Sequence, residues 1–124
     1  MEKTIKVLWF SRHTMTDTQN DAMFIGIARH FQNDLQETAV IITQVSETIN
    51  SVSEIDDIGG YDVYAIVAPI SLQQQFLRVA GDKPVIMAKS ERLITKTAEG
   101  EDKISFVFNK WERLKKIEVV IEDF

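Results

Sequence analysis

The chain has 124 residues, 44% of them hydrophobic and 27% charged, a size and composition that suit one globular domain with a core of its own. It contains no cysteine, which excludes disulfide staples, thiolate metal sites and cysteine nucleophiles together. A net charge of −5 disfavours a general electrostatic grip on long nucleic acid, while leaving room for a local basic pocket that takes one small anion.

Residues 1–10 place acidic and basic groups ahead of a short β-like run, with no leader-length apolar stretch. No segment approaches the roughly 18 consecutive apolar residues of a spanning helix. The expectation is a soluble, cytoplasmic protein with no membrane partner.

Ile5 to Phe10 is an almost unbroken apolar run rich in β-formers, which predicts a strand covered on both faces. It stops at the polar segment Ser11-Arg12-His13-Thr14. Thr16 with Gln19 three residues on reads as a capping box, and Asp17 sits where the helix dipole favours an acid. Phe24, Ile27, Ala28, Phe31 and Leu35 then recur at helical spacing. Ala39 to Val45 predicts a second strand. Ser46 opens a short helix carrying Ile49, Val52 and Ile55, broken at Gly59-Gly60.

Val63 to Ala68 predicts a third strand, closed by Pro69. Ser71 with Gln74 repeats the capping pattern, Leu72, Phe76, Leu77 and Val79 supply an apolar helix face, and Gly81 is a stop. Pro84 to Ala88 predicts a fourth strand, followed by a basic loop, Lys89-Ser90-Glu91-Arg92. The polar stretch Thr95–Asp102 reads as a loop. Beyond it Ile104, Phe106 and Phe108 alternate with their neighbours, a second β-like run spans Leu114 to Ile121, and Asn109-Lys110 stands between them as a turn. The pattern predicts a single α/β domain over residues 1–124. Its architecture is a three-layer, Rossmann-like domain of about four parallel strands plus a C-terminal antiparallel β-hairpin.

In an open parallel sheet, ligands bind beyond the carboxyl ends of the strands. That rule selects the segments after strands one, three and four. They offer Arg12, His13, Lys89 and Arg92 as cationic or potentially cationic groups, the hydroxyls of Ser11, Thr14, Thr16, Ser71 and Ser90, and the amides of Gln73 and Gln74. Two helix N-termini at the same edge add backbone donors. Simpler roles compete for single residues. Thr16 and Ser71 serve as caps, Gln73 to Gln75 as solvated helix surface, and His30 as a surface or packing residue. Trp111 covers the hairpin, and Asp17 and Asp21 answer the helix dipole rather than a metal. Arg12 and His13 are neither turn nor cap residues, which makes them the strongest ligand candidates. No metal and no cofactor is expected.

A strand ending in Arg12-His13 resembles the opening of the histidine phosphatase superfamily, in which the strand delivers a phospho-accepting histidine. Thr14 stands where that family has glycine, and His30 is the sole other histidine. A second resemblance covers more of the chain. Phe10–Ala22 is similar to the opening of small CRISPR-associated, CARF-like or ring-nuclease-like Rossmannoid proteins, with weaker similarity at Pro84–Arg92 and Lys103–Ile117. That resemblance implies binding, and in some members cleavage, of cyclic oligonucleotides. It places Ser11, His13 and Thr14 at the ligand and Lys89 and Arg92 on phosphates, with His13 as the candidate catalytic residue of a metal-independent ring nuclease.

The functional expectation is a protein that binds a nucleotide or another phosphate-bearing ligand, a small anion or short oligonucleotide, at the carboxyl edge of its sheet. The alternative is a non-catalytic accessory protein of mobile-element type acting as a homodimer. A phosphatase-like enzyme is the third reading.

Overall fold

A computed structural model of the chain describes residues 2–124. Strand β1 (Lys3–Phe10) leads into helix α1 (Asp17–His30), then β2 (Thr38–Val45), β3 (Val63–Ile66), helix α2 (Ile70–Ala80), β4 (Val85–Lys96) and β5 (Asp102–Leu114). The five strands form one mixed sheet in the order β2-β1-β3-β4-β5. The first three junctions are parallel and the β4–β5 junction is antiparallel. The chain is therefore an α/β protein with four parallel strands and an antiparallel edge.

The apolar runs form the central strands because successive side chains leave a strand on opposite faces and both faces here are buried. Ile5, Val7 and Trp9 of β1, with Val63 and Ala65 of β3, share a cluster with Met23 and Ile27 of α1. Leu8, Phe10, Tyr64 and Ile66 enter a second cluster with Leu72, Phe76 and Ala80 of α2. The predicted Thr16–Gln19 capping box is present, with each side chain bonded to the other's backbone N–H at 3.1 and 3.0 Å. Of the predicted α1 stripe, Ile27 and Ala28 are buried, whereas Leu35 lies beyond the helix in a 3-10 turn and is exposed.

Three expectations are corrected. Residues after Ser46 do not form an α-helix; they fold as an irregular segment with 3-10 turns at Val52–Glu54 and Ile58–Gly60. The local sequence is rich in Ser, Asp and Gly, which favour caps and turns over helix interiors. Val52 and Ile55 still reach the core. Helix α2 starts two residues earlier than predicted, with Pro69 rather than Ser71 at the N-cap, so Ser71 lies inside the first turn and caps nothing.

The third correction concerns the tail. Lys89–Arg92 is not a loop: β4 runs unbroken from Val85 to Lys96 and pairs with β5 along its whole length. The hairpin turn is at 97–101, where Gly100 adopts φ +82° and the Thr97 N–H donates to the Glu101 carbonyl at 2.8 Å. Asn109-Lys110 is no turn either. Lys110 pairs with Lys89 and Phe108 with Ser90, leaving Asn109 as a bulge that donates to Glu91 Oε1 at 2.9 Å. Residues 115–124 carry no regular structure.

Strand β3 pairs with β4 only at Val85 and Ile86. Beyond that point the β4–β5 ribbon leaves the sheet as a two-stranded arm.

Candidate functional site

The loop after β1 is fixed by the strands beside it. The Ser11 N–H donates to the Val45 carbonyl of β2 at 3.2 Å, and the Val67 N–H donates to the Phe10 carbonyl at 2.8 Å. Ser11 is buried, and its hydroxyl accepts the His13 N–H at 3.1 Å, a local turn contact that spends the oxygen on the loop itself. Two carbonyls are tied inward as well. Gln44 Nε2 donates to the Ser11 and His13 carbonyl oxygens at 2.9 and 3.0 Å, and Trp9 Nε1 donates to His13 O at 2.8 Å. With its backbone anchored inward, the loop presents the exposed side chains of Arg12 and His13 on its outer side.

Those two residues line a cavity of about 270 Å³. Phe10, Ser11, Arg12 and His13 form one wall, the segment Val45 to Ile49 after β2 a second, and Val67, Pro69 and Leu72 a third. The cavity thus opens where the connections from β1 and β3 diverge in the order β2-β1-β3, the crevice that open α/β sheets use for ligands. Its walls mix apolar surface from Phe10, Val45, Ile49 and Leu72 with the polar groups of Arg12, His13, Ser46, Glu47 and Thr48. Arg12 Nη2 donates to Thr48 Oγ1 and so bridges the loops after β1 and β2. The first turn of α2 borders the same space. No side chain caps it among the described residues, while Gln73 Nε2 turns back to the Ala68 carbonyl at 2.7 Å.

Of the residues singled out in the sequence, Ser11, Arg12 and His13 meet in this cavity. Thr14 and Ser71 are exposed and lie outside it, and the half-buried Gln73 lies outside it as well. Lys89, Ser90 and Arg92 do not line the cavity, because β4 carries them past the sheet edge onto the arm. His30 lines a separate groove between α1 and the β4–β5 side of the sheet, with Trp111 and Arg113, so the two histidines do not share a site. Among the described residues, no group of three or more His, Asp or Glu is arranged to hold a metal.

Ser46, Glu47, Thr48 and Ile49 belong to the site but were not among the sequence candidates. The signal existed: β2 is also a parallel strand, so its carboxyl end reaches the same edge. Reading Ser46 as a helix opener hid it. No helix among the described residues is long and apolar enough to cross a membrane. Comparison with protein-family models, with curated proteins and with solved structures finds no match to this chain.

Proposed function

We propose that this protein binds a nucleotide unit, free or as part of a short or cyclic oligonucleotide, in the cavity at the carboxyl ends of β1, β2 and β3. In this reading the chain is a three-layer, Rossmann-like domain, with α1 and α2 on opposite sides of the sheet. The observation that carries it is the convergence of Arg12 and His13 on a crevice bordered by the uncapped first turn of α2. Arg12 offers a planar, charge-assisted donor set for phosphate oxygens, and the helix start adds partial positive charge. The apolar walls suit a base or ribose face. Glu47 offsets part of the positive charge, which favours a ligand with one phosphate beside an apolar group over a bare polyanion.

The volume lies near the lower end of the roughly 300–1,000 Å³ typical of small-molecule sites, so the cavity takes one nucleotide unit at a time. A ring nuclease acting here would orient a ribose 2′-hydroxyl for attack on the adjacent phosphorus. The 5′-oxygen leaves and a 2′,3′-cyclic phosphate remains, a reaction that needs alignment and charge stabilisation rather than a metal. In this reading His13, which lines the cavity, would move the proton.

A thermal-shift series with inorganic phosphate, nucleoside 5′-monophosphates, and linear and cyclic oligoribonucleotides tests the reading. At a hundredfold excess over Kd, binding adds about 2.7 kcal/mol of stability. The expected result is a raised Tm for a nucleotide ligand but not for phosphate alone. The shift is lost in Arg12→Ala/His13→Ala and retained in Lys89→Ala/Arg92→Ala. A flat response across all nucleotides, or a shift that survives loss of Arg12 and His13, overturns it.

A further inference from the structure

Beside α1 lies a second cavity, a groove of about 190 Å³ that shares no residue with the one at the carboxyl ends of β1 and β2. Val63 of β3, Ile86 of β4 and Trp111 of β5 form its sheet side. Arg113, two residues beyond Trp111 in the same strand, projects to the same face. Helix α1 supplies the opposite wall through Met23, Ile27 and Phe31. Between them Gly26 carries no side chain, and nothing stands within 4 Å of where its Cβ would be. Met23, Ile27 and Val63 are buried, so the floor is apolar and fixed by the core.

The groove has an apolar end and a basic end. Helix α1 starts at the carboxyl edge of the sheet, where the Gln19 carbonyl accepts Trp111 Nε1 at 3.0 Å. It ends at the amino edge with His30, near Arg113, which pairs with Ile86 at the start of β4. No acidic side chain lines the groove. Arg113 Nη2 donates to the Asp82 carbonyl at 3.1 Å, which orients the guanidinium, and Arg113 makes no ion pair among the described residues. Lys3, whose Nζ stands 5.0 Å from the centre of the Phe31 ring, adds positive charge at the same edge. The helix end does not cancel it, because the Ile27, Ala28 and Arg29 carbonyls already accept the N–H groups of Phe31, Asn33 and Gln32.

We propose that this groove is a second ligand site, for a small aromatic carboxylate. The ring lies along Trp111, Met23 and the gap at Gly26, and the carboxylate meets Arg113 and the imidazole N–H of His30. A dry apolar cavity of about 150 Å³ takes a benzene ring, so this volume holds one ring with a short acidic arm. It is too small for base, ribose and phosphate together. The indole of Trp111 and the ring of Phe31 favour an aromatic body over an alkyl chain. Arg113 selects an anion, and a planar carboxylate matches its paired donors. The inference does not depend on a ligand at Arg12 and His13.

Amide chemical-shift titration with 3-phenylpropionate, and with 3-phenylpropylamine as its cationic counterpart, tests it. The acid is expected to give saturable shifts along Ala22–Phe31 and at Val63, Ile86 and Trp111–Arg113. For a ligand this small the expected Kd is about 0.1–1 mM, and the amine binds at least about tenfold more weakly. Gly26→Leu fills the groove and is expected to abolish binding with unchanged circular dichroism. Arg113→Gln, on the exposed rim, is expected to weaken the acid by about tenfold, and Arg12→Ala/His13→Ala to leave its Kd unchanged. Absence of saturable shifts, equal affinity for acid and amine, or a Kd unmoved by Gly26→Leu or by Arg113→Gln overturns the proposal. Nuclear Overhauser contacts that seat residues 115–124 or a second copy against Gly26 in the ligand-free chain also overturn it, since the groove then belongs to the chain itself.

Discussion

The indole N–H of Trp9 donates to the carbonyl oxygen of His13 at 2.8 Å, so the buried face of β1 directly holds the loop that presents the candidate site. Trp9 is only 3% exposed and packs edge-on against Trp111 at 5.7 Å. Trp111 in turn donates to the Gln19 carbonyl at 3.0 Å. One pair of indoles thus fixes both the loop after β1 and the first turn of α1.

Trp9→Phe keeps an aromatic ring in the core but removes the donor. Gln44 still serves the His13 carbonyl, so the loss attributable to the hydrogen bond is about 1 kcal/mol. Removing both donors in Trp9→Phe/Gln44→Ala frees the loop. Because the two donors share one acceptor, the double variant is expected to lose more stability than the two single losses summed. Urea denaturation of the three variants and the parent checks this, and additivity within error would contradict a shared anchor.

Two glycines are expected to respond to alanine with opposite signs. Gly26 lies inside α1, with open space around its missing side chain, so Gly26→Ala is expected to stabilise by about 0.5–1 kcal/mol through helix propensity and unfolded-state entropy. Gly81 ends α2 at φ +61°, where its N–H donates to the Leu77 carbonyl at 3.2 Å. Gly81→Ala forces a side chain into left-handed backbone and is expected to destabilise by more than about 1 kcal/mol. Denaturant midpoints of the two variants check the pair.

Stability is expected to fall at alkaline pH through Tyr64. Its ring is fully buried and its hydroxyl donates to the Ile58 carbonyl at 2.6 Å. Burial, reinforced by the negative charge of Asp62, pushes its pKa above the ordinary 10.0. A phenol that holds its proton more tightly in the folded chain gives its full contribution below pH 10.0, and that contribution is lost as pH rises above it. Tyr64→Phe is expected to lose about 1 kcal/mol near neutrality, with the hydrogen bond, and to show a shallower fall above pH 10. Thermal melts of both chains from pH 8 to 11.5 check it, and parallel alkaline slopes would contradict it.

The central strands were legible because burial on both faces writes a continuous apolar run, as in Ile5–Phe10 and Val63–Ile66. The start of α1 was legible because Thr16 and Gln19 satisfy each other's backbone. The arm was not. From Lys89 to Lys96 every residue of β4 is exposed, so no buried face imposes an alternation, and charged residues inside a paired ladder look like a loop. The bulge at Asn109 hid the continuity of β5 for a related reason, since an inserted residue carries the composition of a turn. The cavity was half legible. Arg12 and His13 stood out as residues without a turn role, whereas the contribution of Ser46–Ile49 depends on β2 lying beside β1, which is a property of strand order.

Amide chemical-shift mapping during titration with adenosine 5′-monophosphate tests the central claim most directly. The predicted result is a saturable set of shifts at Phe10–His13, Val45–Ile49 and Val67–Leu72, absent in Arg12→Ala/His13→Ala. Saturable shifts centred on Lys89–Arg92 or on the groove beside His30, or no shifts at all, would contradict a nucleotide site at the carboxyl edge of β1.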